Sequence, residues 1–471
     1  MDTLPADTKI LYLTKGLTMA LSRRDAMKFT GLAAVTVAAS SGYAAGNEGG
    51  AKAATQGILL SPAPIPAAKG PRVVIVGAGP SGLTIAKYVK KANPKVDVVL
   101  MDKRSVFMSG FISNLVATGV LPLDFITHDF LEGARNGNYT FLQATAHEID
   151  RTSKTVYTNE GIVKYDVLVL APGIDYDYSK WTNGDIELET TLRTKFPGAF
   201  IAGSETLTLK SKIENLEGGV FVQTVPGGNY RCLPGPYERS CLIADYMKRN
   251  KIKGKVVILD ENPNITIKAD GFHSAFEKLY KDYITYMPST TITSIDPNKQ
   301  KIVTELGEEI DFADAALYSR VRGNKLLEIA GVAKDSVFNK GEANIDPFTY
   351  QVIGDKNVFC TGDVRPMGFS KSGNTANTEG KIVAKNIVKY LAGEELSQKT
   401  WSSPLTVCYS AVAGDPMRAI SVHAEYAYDE AKKSFGFANA GTMEKWDGAD
   451  GLAGGKGLVE WGKGLYRDFF N

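Results

Sequence analysis

The chain has 471 residues, 44% hydrophobic and 23% charged, enough for two or three domains with well-filled cores. Its 54 lysines and arginines against 52 aspartates and glutamates leave a formal net charge of +2, which argues against nucleic-acid or anionic-membrane binding. Four cysteines are too few for a disulfide scaffold, and no two of them have the Cys-x2-Cys spacing of a zinc site. The four histidines share no ligand spacing either, so no metal site is expected.

The N-terminal segment has the order of an export signal. Arg23 and Arg24 precede an apolar run from Phe29 to Ala39 and then small residues around Ala44. The run is well short of the roughly 20 residues that a membrane-spanning helix needs. Residues 1–45 are therefore predicted to be a twin-arginine signal peptide, which implies a periplasmic protein with no transmembrane anchor in the mature chain.

A proline-containing linker and a nucleotide-binding unit follow. Residues 46–70 show neither helical nor strand periodicity and are predicted to be a linker. Residues 72–76 (RVVIV) are typical of a buried parallel strand, and the GAGPSG sequence of residues 77–82 follows at once. Helical spacing and a second apolar strand ending at Asp102 complete a βαβ unit of the dinucleotide-binding type, with Asp102 placed to bind a ribose hydroxyl.

Two later segments favour FAD over NAD as the nucleotide. Residues 165–173 form an apolar strand that ends in a small-residue turn, and residues 358–363 form another that ends in Gly-Asp. Together they resemble the flavoproteins with two dinucleotide-binding domains, in which the aspartate at the place of Asp363 binds the ribityl or pyrophosphate part of FAD. Lys371 is predicted either to set positive charge near the flavin or to be a solvated surface lysine.

The second dinucleotide-type unit lacks the usual phosphate loop. Strands predicted at residues 218–224 and 255–260 are joined through the sequence VPGGNYRCLPGPYER of residues 225–239. Its prolines and bulky side chains leave no close approach for a pyrophosphate, so NADH is not expected as electron donor or acceptor. The loop instead presents Cys232 and, six residues later, Glu238.

This loop carries a closer resemblance, to the flavoprotein subunit of flavocytochrome c sulfide dehydrogenase, a relative of sulfide:quinone oxidoreductases. The resemblance extends to Ser113-Asn114, to residues 371–377 and to residues 406–410. In that family the cysteines at the places of Cys232 and Cys408 form a redox disulfide, and the glutamate at the place of Glu238 is a proposed active-site base. The residues expected to hold FAD are Gly77, Gly79, Pro80, Ser81, Gly82, Asp102, Lys103, Asn114, Gly173, Asp363 and Lys371.

The cysteines are predicted to divide into two pairs by role. Cys360 lies inside an apolar strand and Cys241 on an apolar helix face, so both are expected to be packing residues. Pairing of Cys232 with Cys241 stays open, since sequence does not reveal which cysteines meet. The cysteine that tethers FAD in well-known family members is absent from residues 109–112, which predicts non-covalent FAD. No Cys-x-x-Cys-His occurs, so any covalently bound haem would belong to a partner subunit.

The predicted fold is α/β, with two Rossmann-like dinucleotide-binding domains of the FAD/NAD-linked disulfide reductase type and a C-terminal module. The FAD domain is assigned to residues 71–184 and 326–396, the second domain to 185–325, and the C-terminal module to 397–471. Residues 436–457 contain seven glycines and are expected to form a flexible loop. The aromatic residues after it are expected to cap the core rather than to form a partner surface.

The resemblance implies a periplasmic sulfide dehydrogenase that oxidises hydrosulfide to sulfur or polysulfide through a Cys232–Cys408 disulfide. FAD would pass the electrons to a c-type cytochrome subunit. One alternative is a sulfide:quinone oxidoreductase. Another, of a different class, is a non-catalytic flavin-bearing assembly subunit.

Overall fold

A computed structural model describes residues 61–471, and the predicted signal peptide and most of the predicted linker lie outside this part. The first domain contains a six-stranded sheet, and the GAGPSG loop follows one of its strands. Its strands are parallel except for the short edge strand 351–352, and their spatial order is Gln351–Val352, Asp355–Cys360, Val167–Leu170, Arg72–Val76, Asp97–Asp102 and Thr140–Gln143. Three of its central strands, Val167–Leu170, Arg72–Val76 and Asp97–Asp102, are almost fully buried, which explains their apolar and largely β-branched composition.

A second, four-stranded sheet is wholly parallel. Its order is Ile284–Met287, Gly254–Asp260, Gly219–Val225 and Asp314–Ala316. The chain leaves the first sheet through strand Ile174–Asp177 and returns through Arg320–Gly323, and these two strands pair antiparallel. The prediction of two Rossmann-type dinucleotide-binding domains of the disulfide reductase type is thus confirmed.

Helices cover both sheets. They span Pro80–Ala92, Ser113–Ala117, Phe130–Gly137, Ser179–Thr182, Ile186–Lys195, Ser204–Glu214, Gly235–Arg249, Ala269–Lys278, Leu326–Ile329, Gly373–Leu391 and Gly448–Phe470, with 3-10 turns at Leu123–Ile126, Gly362–Val364 and Gln398–Thr400. Within residues 61–471, none of these helices is long and apolar enough to cross a membrane.

Smaller antiparallel sheets complete the two domains. They contain the strands Val106–Met108 with Thr127–Asp129, Ala146–Asp150 with Thr155–Thr158 and Gly161–Lys164, Ile292–Asp296 with Lys301–Thr304 and Glu309–Asp311, and Ala333–Lys334 with Glu342–Ala343. The described end of the predicted linker docks on one of these sheets, where Ala63 N donates to Ile162 O at 2.9 Å.

The C-terminal segment is regular, and the expected flexible loop over residues 436–457 is wrong. An antiparallel sheet of strands Thr406–Gly414, Met417–Asp429 and Ser434–Met443 is followed by the 23-residue helix Gly448–Phe470. The glycines let helix and sheet approach closely: a Cβ at Gly454 would lie 2.1 Å from Ala419 O, and one at Gly455 would lie 2.3 Å from Met417 O. Tertiary packing thus overrides the low helix propensity of glycine.

The end of this helix confirms the expectation of core capping. Phe469 and Phe470 are buried in the core of the first domain, where both rings pack on Phe107. A smaller apolar cluster joins all three parts of the chain and includes Leu115, Leu242 and Ala411. The residues that line the site described next lie beside this junction.

Candidate active site

The GAGPSG loop has the backbone that a dinucleotide requires. Gly77 has φ +108°, a conformation that favours glycine, and a Cβ there would lie 2.3 Å from Ala171 O. Gly79, at the start of the following helix, has open space on its Cβ side, which leaves the backbone free to approach a phosphate. A Cβ at Gly82 would lie 1.9 Å from Gly77 O, so this glycine permits the close packing of helix against strand. These are the three roles of glycine in a dinucleotide-binding turn.

The acidic residue at the end of the second strand faces this loop. Asp102 is buried, and its Oδ2 accepts a hydrogen bond from Ala78 N at 2.8 Å. Arg104 also donates to the carboxylate, at 2.9 Å. Lys103 is exposed. Ser81, beside Pro80 in the first helical turn, is buried and within 3.1 Å of the Thr361 hydroxyl.

The other end of the expected FAD site contains a set of buried charges. Gly173 has φ +79° and open space on its Cβ side. Lys371 is not a solvated surface lysine: its ammonium is 1% exposed and pairs with Glu342 at 2.8 Å, and it also donates to Asp363 O at 2.6 Å. The Asp363 carboxylate pairs with Arg231 at 3.1 Å, which ties it to the residue before Cys232.

The structure brings Cys232 and Cys408 together. Their thiols are in hydrogen-bonding contact and line one cavity with Glu238, although each comes from a different part of the chain. Cys232 N also donates to Lys371 O at 2.9 Å, which fixes the cysteine loop against the first domain. Cys241 and Cys360 are fully buried in apolar cores, so the packing predicted for both is confirmed.

The cavity has a volume of about 30 Å³ and lies where the three parts of the chain meet. The first domain contributes residues 110–114, which include Ser113 and Asn114, and the C-terminal module contributes Tyr409, Leu458 and Trp461. That volume holds roughly two water-sized groups. The cavity can therefore hold a ligand of one or two heavy atoms next to the two sulfurs.

Glu238 is held by hydrogen bonds on both carboxylate oxygens. Ala411 N donates to Oε1 at 2.8 Å and Asn114 Nδ2 donates to Oε2 at 2.8 Å. Burial raises the pKa of Glu238 despite these donors. A carboxyl with a raised pKa can take up and release a proton nearer to neutral pH than an exposed glutamate can.

Asn114, predicted to hold cofactor, has its side chain committed within the protein. Its amide nitrogen donates to Glu238, and its carbonyl oxygen accepts from Arg239 Nε at 2.9 Å. Arg239 is almost completely buried, donates to the carbonyls of Gly198 and Ala199, and stacks over the Phe200 ring at 4.2 Å. Asn114 therefore orients Glu238 in this structure.

The two thiols differ in acidity. The hydrogen bond from Cys232, together with the nearby ammonium of Lys268, lowers the pKa of Cys408 to about 7. The same hydrogen bond, burial and the negative charge of Cys408 raise the pKa of Cys232 well above its usual value. Cys408 is therefore the sulfur that carries the thiolate when both are reduced.

Sequence reasoning missed Lys268, Arg239 and Arg231. Arg239 and Arg231 stand next to Glu238 and Cys232, so their position in the unusual loop could have marked them. Lys268 lies in a separate segment with no motif around it, and only the tertiary structure brings it to the cysteines. No group of three or more His, Cys, Asp or Glu in residues 61–471 could hold a metal ion.

The acidic residues at one strand end of the second domain are hydrogen bonded within the protein. The hydroxyls of Tyr237 and Tyr286 donate to Asp260 Oδ2, at 2.7 and 3.0 Å. Gly227 N donates to Glu261 Oε2 at 3.0 Å. The acidic residues at this strand end, where such a domain binds a ribose, are therefore occupied by groups of the protein itself.

Comparison with known families agrees with this geometry. Residues 206–316 match the family described as the central part of the flavoprotein chain of sulfide dehydrogenase (flavocytochrome c). The predicted resemblance to this family is confirmed. The matched flavocytochrome c segment includes Cys232 and Glu238, and residues 71–179 match the pyridine nucleotide-disulphide oxidoreductases.

Curated relatives and solved structures extend the comparison beyond the flavocytochrome c segment. A type II NADH:quinone oxidoreductase of Staphylococcus aureus (strain NCTC 8325 / PS 47) is 22% identical over 354 residues, which cover 72% of this chain and 87% of the relative. The structure of the sulfide:quinone oxidoreductase from Aquifex aeolicus superposes with a TM-score of 0.67 at 18% identity, covering 85% of this chain and 92% of the other. An NAD-dependent persulfide reductase from A. fulgidus gives 0.55 at 15% identity, covering 83% and 77%. These solved structures have the same fold as this chain. The chain is an FAD-dependent oxidoreductase.

Proposed function

We propose that this chain is a periplasmic, FAD-dependent sulfide dehydrogenase that oxidises hydrosulfide to sulfur or polysulfide through a Cys232–Cys408 disulfide. The observation that carries the proposal is the contact of these two thiols with each other and with Glu238 around one small cavity. Hydrosulfide has a single heavy atom and fits this cavity, whereas a nicotinamide or quinone ring does not.

The acidity of the two thiols favours one order of attack. Thiol–disulfide exchange is faster when the leaving sulfur has the lower pKa, and the Lys268 ammonium and the Ser410 hydroxyl lower the pKa of Cys408 without any contribution from the Cys232 thiol. Hydrosulfide would therefore attack Cys232. The Cys232–Cys408 bond breaks, a bond between Cys232 and the substrate sulfur forms, and Cys408 leaves as the thiolate, so this exchange alone needs no external oxidant.

Glu238 is the group that takes the substrate's proton in this proposal. It lines the same cavity as both sulfurs, and burial raises its pKa. The donors Ala411 N and Asn114 Nδ2 hold the carboxylate in place, so a proton-accepting oxygen faces the substrate without reorganisation.

FAD, when bound, would take up the two electrons that hydrosulfide loses and release them to the acceptor. The residues present fit this cofactor: the turn at Gly77, Gly79 and Gly82 leaves room for a pyrophosphate, and Asp102 lies at the ribose position. Residues 109–112 contain no cysteine, which supports non-covalent binding.

We propose a c-type cytochrome subunit as the electron acceptor. The family match supports this partner, because its description names flavocytochrome c. Export by a twin-arginine signal would bring the folded flavoprotein to the periplasm, where a disulfide persists. A quinone acceptor is the alternative that the fold shared with the Aquifex aeolicus enzyme favours.

The test is anaerobic addition of sulfide to the purified FAD-bound protein, followed by the loss of flavin absorbance. We expect rapid bleaching by the wild type and by Cys360→Ala, a control in the core of the first domain, and none on the same timescale by Cys232→Ser. Bleaching of Cys232→Ser at the wild-type rate would refute the disulfide mechanism. No bleaching of the wild type would instead favour the non-catalytic flavin-bearing subunit.

The acceptor is tested separately, on protein already reduced by sulfide. We expect reoxidation by added cytochrome c to be faster than reoxidation by a soluble quinone analogue. The opposite order would favour a sulfide:quinone oxidoreductase.

A further inference from the structure

Lys268 is a buried lysine with no carboxylate partner among residues 61–471. Its side chain is 2% exposed, and no ion pair of the described part of the chain includes it. Its ammonium donates a hydrogen bond to Ser410 Oγ at 2.7 Å. Because burying a charge without a partner is costly, the ammonium requires a source of negative charge nearby.

Ser410 connects this ammonium to Cys408. The two residues are two positions apart on strand Thr406–Gly414, so their side chains lie on the same face of the sheet. The Ser410 hydroxyl also hydrogen bonds to the Cys408 sulfur. Because Lys268 can only donate, Ser410 accepts from Lys268 and has its own hydrogen left to donate to the sulfur. The contact chain therefore runs from ammonium to hydroxyl to sulfur.

The backbone at Lys268 is unfavourable for a structural lysine. The residue has φ +58°, in the left-handed region that residues with a Cβ rarely adopt. It also directly precedes helix Ala269–Lys278, and a positive charge is unfavourable at a helix N-terminus. Neither feature stabilises the fold, so the reason for a lysine here lies in what its ammonium faces.

Four ionisable groups face the Lys268 ammonium: Cys408, Glu238, Cys232 and Glu444, in decreasing order of their effect on it. Both oxygens of Glu238 already accept hydrogen bonds from Ala411 N and Asn114. Glu444 accepts from Gly271 N at 2.9 Å. Cys408 is the group to which the ammonium is linked through a shared hydrogen-bond partner.

We infer that Lys268 is a positioning residue that stabilises the thiolate of Cys408 through Ser410. Any effect of Lys268 on turnover rests on the proposed function, because there Cys408 is the sulfur that leaves when hydrosulfide attacks Cys232. Stabilisation of the thiolate itself does not depend on sulfide being the substrate, so the two claims can fail separately.

The experiment uses the reduced, FAD-bound protein without sulfide. The cysteines are labelled with carbon-13, and the chemical shift of the Cys408 Cβ is followed from pH 5 to 10 by NMR, with Cys408→Ser to assign the signal, so that no reagent has to enter the small cavity. The wild-type signal should titrate with an apparent pKa near 7. In Lys268→Met we expect the apparent pKa of Cys408 to be higher by about one unit or more, so that the thiolate fraction at pH 6 falls about tenfold.

Three further variants distinguish the effect of losing the Lys268 charge from an effect on folding. Lys278→Met removes an exposed lysine of the same helix and should match the wild type. Lys268→Arg keeps the charge and should shift the profile less than Lys268→Met. Ser410→Ala removes the connecting hydroxyl and should shift it in the same direction as Lys268→Met, by a smaller amount.

An unchanged Cys408 profile in both Lys268→Met and Ser410→Ala would overturn the inference. If Lys268→Met fails to fold, Ser410→Ala alone decides it. Because this readout contains no sulfide, an unshifted profile leaves the proposed function intact, whereas absence of bleaching by sulfide leaves this inference intact.

Discussion

Glu238 combines three properties that a proton acceptor in a small cavity needs. It is buried, hydrogen bonded at both oxygens and adjacent to both thiols. Burial raises its pKa, so the ionised form that accepts a proton is lost as the pH falls, at a higher pH than for an exposed glutamate.

We predict that Glu238→Gln slows sulfide-driven flavin bleaching by about 100-fold or more. Stopped-flow absorbance under anaerobic conditions measures this rate. The glutamine nitrogen would face one of the two donors that now bind the carboxylate, which should cost about 1–3 kcal/mol of unfolding free energy. A variant that remains folded and bleaches at the wild-type rate would show that Glu238 does not move the proton.

The two thiols should also differ in the pH at which each one ionises. Cys408 has its pKa lowered to about 7, so its thiolate is present above that pH and is lost as the pH falls through it. Cys232 has its pKa raised, and its thiolate appears only in alkaline solution. We predict that in the reduced protein the carbon-13 NMR signal of the Cys408 Cβ titrates at a lower pH than that of the Cys232 Cβ. Titration of Cys232 at the lower pH would contradict this order of acidity.

At the level of residues, sequence predicted the groups that a local motif or a family resemblance marks. Cys232 and Glu238 stand in an unusual loop, and Cys408 was identified by resemblance alone. The ion pair of Lys371 with Glu342 and the contact of Asn114 with Glu238 join distant segments, so no spacing rule reveals them. The same holds for Lys268 and Ser410.

At the level of elements, the glycines of helix Gly448–Phe470 show why composition misled the prediction. Their number suggested a flexible loop, because glycine is a poor helix former when no packing favours it. In the structure two of them, Gly454 and Gly455, face the backbone of strand Met417–Asp429, where a side chain would collide. The two βαβ units were predicted well because their strands are buried on both faces and their turns have a local chemistry.

Two glycines of this helix provide a matched comparison. A Cβ at Gly454 would lie 2.1 Å from Ala419 O, whereas Gly464 has no atom within 4 Å of that position. We predict that Gly454→Ala destabilises the protein by about 1–3 kcal/mol through overpacking. Gly464→Ala should instead stabilise it by about 0.5–1 kcal/mol through helix propensity. Denaturant unfolding measures both, and equal effects of the two substitutions would show that the glycines do not mediate packing.

At the level of the whole molecule, the two domains have the same type of parallel sheet but different loops at the position where a nucleotide would bind. The first has an open turn at Gly79, and the second has tyrosines donating to Asp260. We expect this difference to set the electron donor. The curated relatives include NADH:quinone oxidoreductases, whereas the central segment matches a sulfide dehydrogenase flavoprotein.

We predict that NADH does not reduce the FAD-bound protein under conditions in which sulfide bleaches it within seconds. A dinucleotide would have to displace the hydrogen bonds of Tyr237 and Tyr286 to Asp260 and of Gly227 to Glu261, and buried polar groups left without partners cost about 1–3 kcal/mol each. Anaerobic titration with each donor, monitored by flavin absorbance, makes the comparison. Bleaching by submillimolar NADH at the rate seen with sulfide would mean that the second domain opens to admit a nucleotide. The chain would then oxidise NADH, as the names of the curated relatives describe, and the cysteine pair would need another role.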